Sequence, residues 1–471
     1  MKQEPLNHFS SQQYHKAALY GDIETIQKIL SSDIDKIDNR GLSALHVAIL
    51  SGKTNIANEL IRKGANVNLQ TSVDLSSFDS QDSDRAKSNF LKKNVNEWDL
   101  IMPFDKKATA LHFACALGLE DVVSELLKHK SKVNQRTNGG ATALHYASLF
   151  GHSRVVNELL SHTSKTHFKI KSQSIVGWFD ADMTILHAAA QGGNCSVIQN
   201  VLRNGCSVQD YTKAGCGVVF FAARSKNYEA IKLLFEHGAK IESSTPRFFN
   251  DPFREVILRE DLNSAEVLIK NSTQLNGITT KENGRTVYLW QPPIRNAIRY
   301  QQKKVIQLLL DAGTVSPVYD NVDEAIFFGD IEAVKHFFSK GEKPNNNNSS
   351  DYTPLSSAVN NGYLELTKFL LDNGYQENIS DQDSYSDDLH TPLHMASFGL
   401  TAYTHPLENV LYKKNCLLIA KLLLKKGANP NAVNGINHVP LDSAILWGNK
   451  EMVPLLIEHG ADTKLSVLYK S

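Results

Sequence analysis

A repeated interval limits the folds open to this chain more than any other sequence feature. Several identical residues stand 33 positions apart, namely Leu111 and Leu144, His112 and His145, Gly118 and Gly151, and Gly427 and Gly460. A fixed period of this length is typical of a repeated helical unit that buries its apolar face only against its neighbours. The 471 residues, enough for roughly three globular domains, therefore predict an extended array instead.

Each unit begins with residues that start a short helix. A hydroxyl residue such as Thr142 or Thr391 stands where its side chain can cap the helix. Pro392 follows at the first helical position, where its missing N–H costs nothing. Gly118 and Gly151 then end the helix in a left-handed turn. A second helix with an apolar stripe of aliphatic pairs follows.

These segments resemble the ankyrin-repeat family. The opening motif stands in Gly41–Ala48, Ala141–Ala147 and Thr391–Ala396, and the closing motif in Lys63–Asn68 and Lys426–Asn431. The resemblance covers about four fifths of the chain, and it implies an all-α solenoid of about twelve helix-turn-helix units. It also implies β-turn fingers and several loop insertions.

The landmarks divide the chain into segments. We expect an N-terminal cap and first repeat in 1–70, repeats in 106–275 that degenerate from 215, degenerate repeats in 292–345, and C-terminal repeats in 346–466. Insertions are expected at 71–105, 164–180, 276–291 and 399–415. The stretch 71–105 is also compatible with an eroded repeat, because Leu45 and Leu111 stand 66 residues apart, twice the period. We favour an inserted loop, because the stretch lacks the alanine and glycine landmarks.

Five histidines share one place in the opening motif: His46, His112, His145, His187 and His394. The resemblance implies that each hydrogen-bonds the neighbouring turn and fixes the stack. Successive repeats separate these side chains by roughly 10 Å, which is too far for them to share one metal ion. We therefore predict no metal site and no cofactor.

The cysteines are sparse and odd in number: Cys115, Cys195, Cys206, Cys216 and Cys416. None forms a C-x-x-C pair, so neither a zinc site nor a thioredoxin-like redox site is indicated. Free thiols fit a reducing compartment, and the first residues lack the apolar core of a secretory signal. We therefore expect a cytoplasmic protein without catalytic residues.

The charge balance excludes some partners. Fifty basic and fifty acidic residues give a formal net charge of zero, whereas a dedicated nucleic-acid binder shows a basic excess. No stretch approaches the ~18 apolar residues that a membrane span needs. We expect a monomer that binds another protein, and neither nucleic acid nor membrane.

Large apolar residues stand near the concave side of the first helices, where the family displays variable residues. Exposed apolar clusters mark interaction surfaces, and aromatic side chains are frequent hot spots. The predicted partner-binding residues are Phe113, Tyr146, Leu149, Phe150, Tyr300, Met395, Phe398, Leu446 and Trp447, with Trp98 and Trp178 in the insertions. The alternative is that these side chains pack under insertions or between repeats.

The sequence thus predicts a scaffold that binds a partner protein through a concave face and β-turn fingers, because a rigid array loses little entropy on binding. One alternative is an effector of an intracellular bacterium that acts on a host protein in the host cytoplasm. Abundant lysine and asparagine and irregular repeats suggest it. Another alternative is a cysteine hydrolase whose cysteine–histidine pair forms only on folding.

Overall fold

The chain folds into helix pairs. The computed structural model describes residues 11–39, 41–72, 106–163, 166–170, 181–241, 251–273, 275–276, 278–282, 285–290, 292–317, 319, 321–344, 353–375, 389–398 and 406–469. These residues contain twenty-four helices in twelve consecutive pairs, so the predicted helical solenoid of about twelve units is confirmed. The chain divides into two compact units, unit 1 comprising Met1–Val256 with Asn263–Ser272, and unit 2 comprising Ile257–Leu262 with Thr273–Ser471.

Unit 1 begins with six helix pairs. They are α1 (Ser11–Tyr20) and α2 (Ile23–Gln27), α3 (Ala44–Leu50) and α4 (Thr54–Arg62), α5 (Ala110–Leu117) and α6 (Glu120–Lys128), α7 (Ala143–Leu149) and α8 (Ser153–His162), α9 (Ile185–Gly192) and α10 (Cys195–Arg203), and α11 (Val218–Arg224) and α12 (Tyr228–Glu236). The first helices of the pairs, here called inner helices, pack side by side in chain order, and so do the second, outer helices. Helices α13 (Pro252–Leu258) and α14 (Leu262–Asn271) straddle the division.

Unit 2 contains a hairpin and five helix pairs. They are β1 (Ile278–Glu282) and β2 (Arg285–Trp290), then α15 (Pro293–Arg299) and α16 (Lys303–Asp311), α17 (Val322–Phe328) and α18 (Ile331–Ser339), α19 (Pro354–Asn360) and α20 (Leu364–Asp372), α21 (Pro392–Phe398) and α22 (Pro406–Lys425), and α23 (Pro440–Leu446) and α24 (Met452–Glu458). The inner helices α17, α19, α21 and α23 pack in that order.

Small residues set the spacing of the inner helices, and aliphatic stripes attach the outer ones. A Cβ atom built on Gly192 of α9 would lie 2.3 Å from the carbonyl oxygen of Leu149 at the end of α7, so only glycine permits this approach. In α6 the aliphatic residues Val122, Val123 and Leu126 are buried, whereas the charged residues of its first turn face outward. The close contact between inner helices and the apolar faces of the outer helices together bury the core of the stack.

Two predicted insertions in unit 1 begin and end within β-turn fingers. The Thr71 N–H donates to the Ala108 carbonyl at 2.9 Å, and the Ile170 N–H donates to the Met183 carbonyl at 3.0 Å. These bonds close the bases of two fingers on either side of the insertions. Residues 166–170, predicted from the sequence to lie in the insertion 164–180, belong to a finger.

Two predicted insertions in unit 2 contain regular structure. Strands β1 and β2 pair antiparallel, with Glu282 opposite Arg285, inside the stretch 276–291. The prediction of a loop is wrong for residues 406–415, which form the start of α22. This extension is held against the preceding repeat, because the Tyr412 hydroxyl donates to the Asn360 carbonyl at 2.9 Å and Asn415 Nδ2 donates to the Gly362 carbonyl at 3.0 Å.

Candidate partner-binding site

Two of the signature histidines, His112 and His394, connect a helix cap to the next finger. The Thr109 N–H donates to His112 Nδ1 at 3.1 Å, so the ring proton resides on Nε2. His112 Nε2 then donates to the carbonyl of Gln135 at 3.2 Å. His394 Nε2 makes the same bond to the His438 carbonyl at 3.0 Å. The rings of His112 and His394 therefore each join two adjacent repeats, as the resemblance implied.

Burial keeps these histidines neutral. Desolvation lowers the pKa of His46, His112, His187 and His394 to about 4 and that of His145 to about 3. An imidazole buried in this way with both nitrogens directed at backbone or cap atoms is a structural group. Among the residues that the structure describes, no cluster of three or more metal-ligating side chains occurs.

Four predicted binding residues lie in the core instead of on the surface. Phe113 and Tyr146 directly follow signature histidines, and both are buried. The Phe113 ring lies 5.5 Å edge-on from His46, and the Tyr146 ring lies 5.8 Å from His112. Met395, in the same motif position, and Leu149 are buried as well. The expectation that these four are displayed is wrong, because this part of the inner helix faces neighbouring repeats.

Other predicted residues are partly accessible or lie outside the described chain. Phe150 and Tyr300 are half-buried at the ends of α7 and α15. Phe150 lies 6.4 Å from the ring of His152. Trp98 and Trp178 fall outside the described residues. Phe150 and Tyr300 therefore offer at most a narrow contact area.

Unit 2 exposes an apolar surface at the ends of α21 and α23. Leu446 is 56% exposed and Trp447 is 43% exposed. The Phe398 ring contacts Trp447 edge-on at 6.1 Å, and His390 contacts Phe398 edge-on at 4.7 Å. These four residues, His390, Phe398, Leu446 and Trp447, are called the aromatic cluster below.

Hydrogen bonds hold the aromatic cluster to a finger. Asn434 Nδ2 lies 3.1 Å from His390 Nδ1, and the Asn434 side-chain carbonyl accepts the N–H groups of Ile436 and His438 at 3.1 and 2.8 Å. The imidazole of His390 is therefore positioned by the turn that precedes α23. A preorganised apolar surface loses little entropy when a partner covers it.

One residue of this kind, His390, escaped prediction from the sequence. His390 directly precedes the capping Thr391, so its position in the finger was a usable signal. Phe327 at the end of α17 is 60% exposed, and its neighbour Phe328 packs under the guanidinium of Arg295 at 4.4 Å. Of these two adjacent phenylalanines, Phe327 is therefore exposed, whereas Phe328 makes a cation–π contact.

Burial disfavours the thiolate form of four of the five cysteines. Burial raises the pKa of Cys206 to about 11 and that of Cys416 to about 12, and it also raises the pKa of Cys115 and Cys195. The reactive species of a cysteine enzyme is the thiolate, and a raised pKa disfavours it. The sulfur of Cys206 lies 3.9 Å from the Thr166 carbonyl, which cannot act as a base.

Within the described part of the chain, every helix is too short or too polar to cross a bilayer.

Family models match most of the chain. A model described as "Ankyrin repeats (3 copies)" matches residues 7–74, 83–172, 169–245 and 322–403. A second, "Ankyrin repeats (many copies)", matches residues 410–457. Residues 246–321 lie outside these matches, although helices α13 to α16 form there.

Three curated relatives show how far the similarity extends. An ankyrin repeat protein of fowlpox virus is 33% identical over 156 residues, which cover 29% of this chain and 20% of the viral protein. A second from the same virus is 33% identical over 147 residues, 28% of this chain and 78% of the viral protein. The human transient receptor potential cation channel subfamily A member 1 is 26% identical over 327 residues, 61% of this chain and 28% of the channel. The matches thus span less than a third of the first viral protein and of the channel.

Proposed function

The chain belongs to the ankyrin-repeat family, and on that premise we propose that it is a scaffold that binds a partner protein through the aromatic cluster of unit 2. Ankyrin repeats are in general protein-interaction modules. The observation that carries the proposal is the exposure of Leu446 and Trp447 in continuity with Phe398 and His390. In the described part of unit 1, the residues predicted to do the same, Phe113, Tyr146, Leu149 and Phe150, lie in the core or are half-buried.

The energetics favour this surface over single exposed residues. Burying one large apolar side chain contributes about 1.5–3 kcal/mol, and aromatic residues at the centre of an interface dominate its binding energy. Leu446 and Trp447 are neighbours, so one apolar protein surface can cover both. The exposed polar residues Asn437 and Lys450 nearby in the sequence suit the rim of such an interface.

The two alternative functions have less support. A cysteine hydrolase requires an accessible thiolate, and burial raises the pKa of four of the cysteines. The bacterial-effector hypothesis rests on composition and repeat irregularity alone. Cytoplasmic location and a monomeric state remain predictions from the sequence.

Affinity capture with matched variants tests the proposal. The test variant carries Leu446→Ser and Trp447→Ser, and the control carries Val315→Ser, which removes another exposed apolar side chain of unit 2 (67% exposed). Circular dichroism and thermal unfolding first establish that all three proteins fold alike. We expect a partner captured by the wild type and the control to lose at least about tenfold in affinity for the double variant. Equal capture by all three proteins would exclude the aromatic cluster as the binding surface.

A further inference from the structure

A second exposed surface, of different chemistry, lies on the fingers of unit 1. Four consecutive fingers, those that precede α5, α7, α9 and α11, each carry at least one basic side chain. The residues are Lys106 and Lys107, Arg136, Lys169, and Lys213, and all but the half-buried Arg136 are exposed. They are called the basic ladder below.

Hydrogen bonds join these fingers into one continuous edge. The Asn138 N–H donates to the Lys106 carbonyl at 2.8 Å, and Arg136 Nη2 donates to the Lys169 carbonyl at 2.6 Å. The Lys213 N–H donates to the Ala181 carbonyl at 2.8 Å, which continues the edge to the fourth finger. The basic side chains are therefore attached to a rigid row of turns.

The position of Arg136 is fixed more tightly than that of an ordinary surface arginine. Its Nε donates to the Gly140 carbonyl at 3.0 Å, and its guanidinium lies 5.4 Å from the centre of the Phe168 ring. These carbonyl and aromatic groups hold the side chain without neutralising its positive charge. The ladder thus has a preorganised cation near its middle.

Little of the ladder's charge is neutralised within the protein. In the described part of the chain no carboxylate lies within ion-pair distance of Lys106, Lys107 or Lys213. Lys169 Nζ lies 3.6 Å from Asp210 Oδ1, and both side chains are partly exposed. By contrast, Lys36 of the first finger is held by Asp33 at 2.7 Å.

The same unit carries two carboxylates on these fingers, Asp182 and Asp210, and further negative charge on its outer helices. Its outer helices present exposed carboxylates such as Glu120, Asp121 and Glu229. The whole chain has a formal net charge of zero, so its field does not favour a long polyanion such as nucleic acid. Pairing of the basic side chains on the finger edge with individual carboxylates of a partner protein remains favourable.

From this geometry we propose that the basic ladder binds an extended acidic segment of a partner protein. Adjacent helices in such a stack lie about 8–10 Å apart, and an extended chain rises about 3.3 Å per residue. One acidic residue at about every third position therefore matches one basic side chain per finger. The inference does not depend on the aromatic cluster, which lies in the other unit.

Synthetic peptides and the full-length chain test the ladder. The probe is a fluorescent peptide of four Gly-Ser-Glu repeats, compared with the same peptide carrying Gln for Glu and with an oligothymidylate of equal length. Fluorescence anisotropy measures their binding at low salt, where exposed charge pairs are least screened. The protein variants are Lys106→Glu with Lys213→Glu, and Asp210→Asn. The matched control is Lys232→Glu on the outer helix α12, also exposed.

We expect the double reversal to weaken binding of the glutamate peptide about tenfold and Asp210→Asn to tighten it about twofold, since Lys169 loses its competing carboxylate. Lys232→Glu and Trp447→Ser are expected to leave the affinity unchanged, which separates this surface from the aromatic cluster. Binding of the glutamine peptide as tight as that of the glutamate peptide would overturn the proposal. Equal affinity of wild type and double reversal, or preference for the oligothymidylate, would do the same.

Discussion

The same short motif has opposite environments in the two units. Leu149-Phe150-Gly151 ends α7 in unit 1, and Leu446-Trp447-Gly448 ends α23 in unit 2. Leu149 is 9% exposed, whereas Leu446 is 56% exposed. Helix α7 packs between α5 and α9. Helix α23 packs against α21 on one side, and on the other the turn containing Ser466 and Leu468 bonds to it.

This difference shows that repeat position alone does not decide between core and surface. In unit 1, an inner helix follows α7 so closely that Gly192 is required next to the Leu149 carbonyl, and the neighbouring helix buries the leucine. In unit 2, the turn containing Ser466 and Leu468 lies beside α23 in place of another inner helix, and Leu446 and Trp447 stay accessible. Burial in unit 1 contributes stability, and exposure in unit 2 leaves the apolar surface that we propose for binding.

Acidification is expected to produce the largest difference in stability between the two units. Unit 1 contains four of the signature histidines with a pKa of about 3 to 4, and unit 2 contains His394. Since the unfolded histidine titrates near 6.5, the unfolded state binds more protons as the pH falls from 6.5 towards 4, and stability present above pH 6.5 is lost. Each histidine contributes a loss of about 2 kcal/mol between pH 7 and pH 5.

One carboxyl group in unit 1 acts in the opposite direction. Burial raises the pKa of Asp251 to about 7, so the folded state gains a proton first and acidification over the same window stabilises it by about 2 kcal/mol. The net expected loss is about 5–6 kcal/mol in unit 1 and about 2 kcal/mol in unit 2. Urea unfolding at pH 7 and pH 5, followed by region-resolved hydrogen exchange, measures both. An equal loss in the two units would contradict the neutral buried histidines.

Truncating a buried and an exposed aromatic residue sharpens the comparison. Phe113→Ala removes a fully buried ring that packs on His46, and we expect unit 1 to lose about 3–5 kcal/mol. Trp447→Ala removes a partly exposed ring, and we expect unit 2 to lose less than about 1 kcal/mol. Chemical denaturation of the two variants beside the wild type provides the values. A larger loss for Trp447→Ala would mean that the indole serves stability and not binding.

The last repeat of unit 2 replaces the signature histidine by an aspartate. Asp442 accepts the Val439 N–H at 3.0 Å, the Ser466 hydroxyl at 2.5 Å and the Leu468 N–H at 2.9 Å. Burial by itself raises the pKa of Asp442, but these hydrogen bonds outweigh it and hold the pKa below its ordinary value. The contribution of Asp442 to stability is therefore present above about pH 4 and is lost below it. This pH range lies below the range over which the buried histidines lose their contribution to stability.

Asp442→Asn is expected to destabilise unit 2 by about 1–3 kcal/mol, because the amide retains a single oxygen acceptor for three donors. Faster hydrogen exchange at Leu468 and Tyr469 is the specific signature. Asp442→Glu serves as the control that keeps the charge. Unchanged exchange at these two residues in the amide variant would show that Asp442 does not hold the turn.

The sequence predicted the architecture well, because the periodic landmarks directly encode helix caps, turns and close helix contacts. Thr109 and His112, for example, form the cap that their motif position implied. The binding residues were harder to predict, since exposure depends on which repeat lies next to a side chain. Phe113 and Phe398 both occur in inner helices, yet one is buried and the other reaches the surface. The sequence marked Arg136 as a finger-tip residue but did not predict the basic ladder as a set, because its members are far apart in sequence and only the finger hydrogen bonds join them.

Hydrogen exchange of the full chain, alone and bound to its captured partner, tests most directly whether unit 2 provides the aromatic binding surface. We expect the partner to slow exchange at the backbone of 389–398 and 440–449, which contain the aromatic cluster, while the ends of α5 and α7 stay unchanged. Slower exchange confined to 110–117 and 143–151, with none around Trp447, would contradict the assignment and return the binding surface to the inner helices of unit 1.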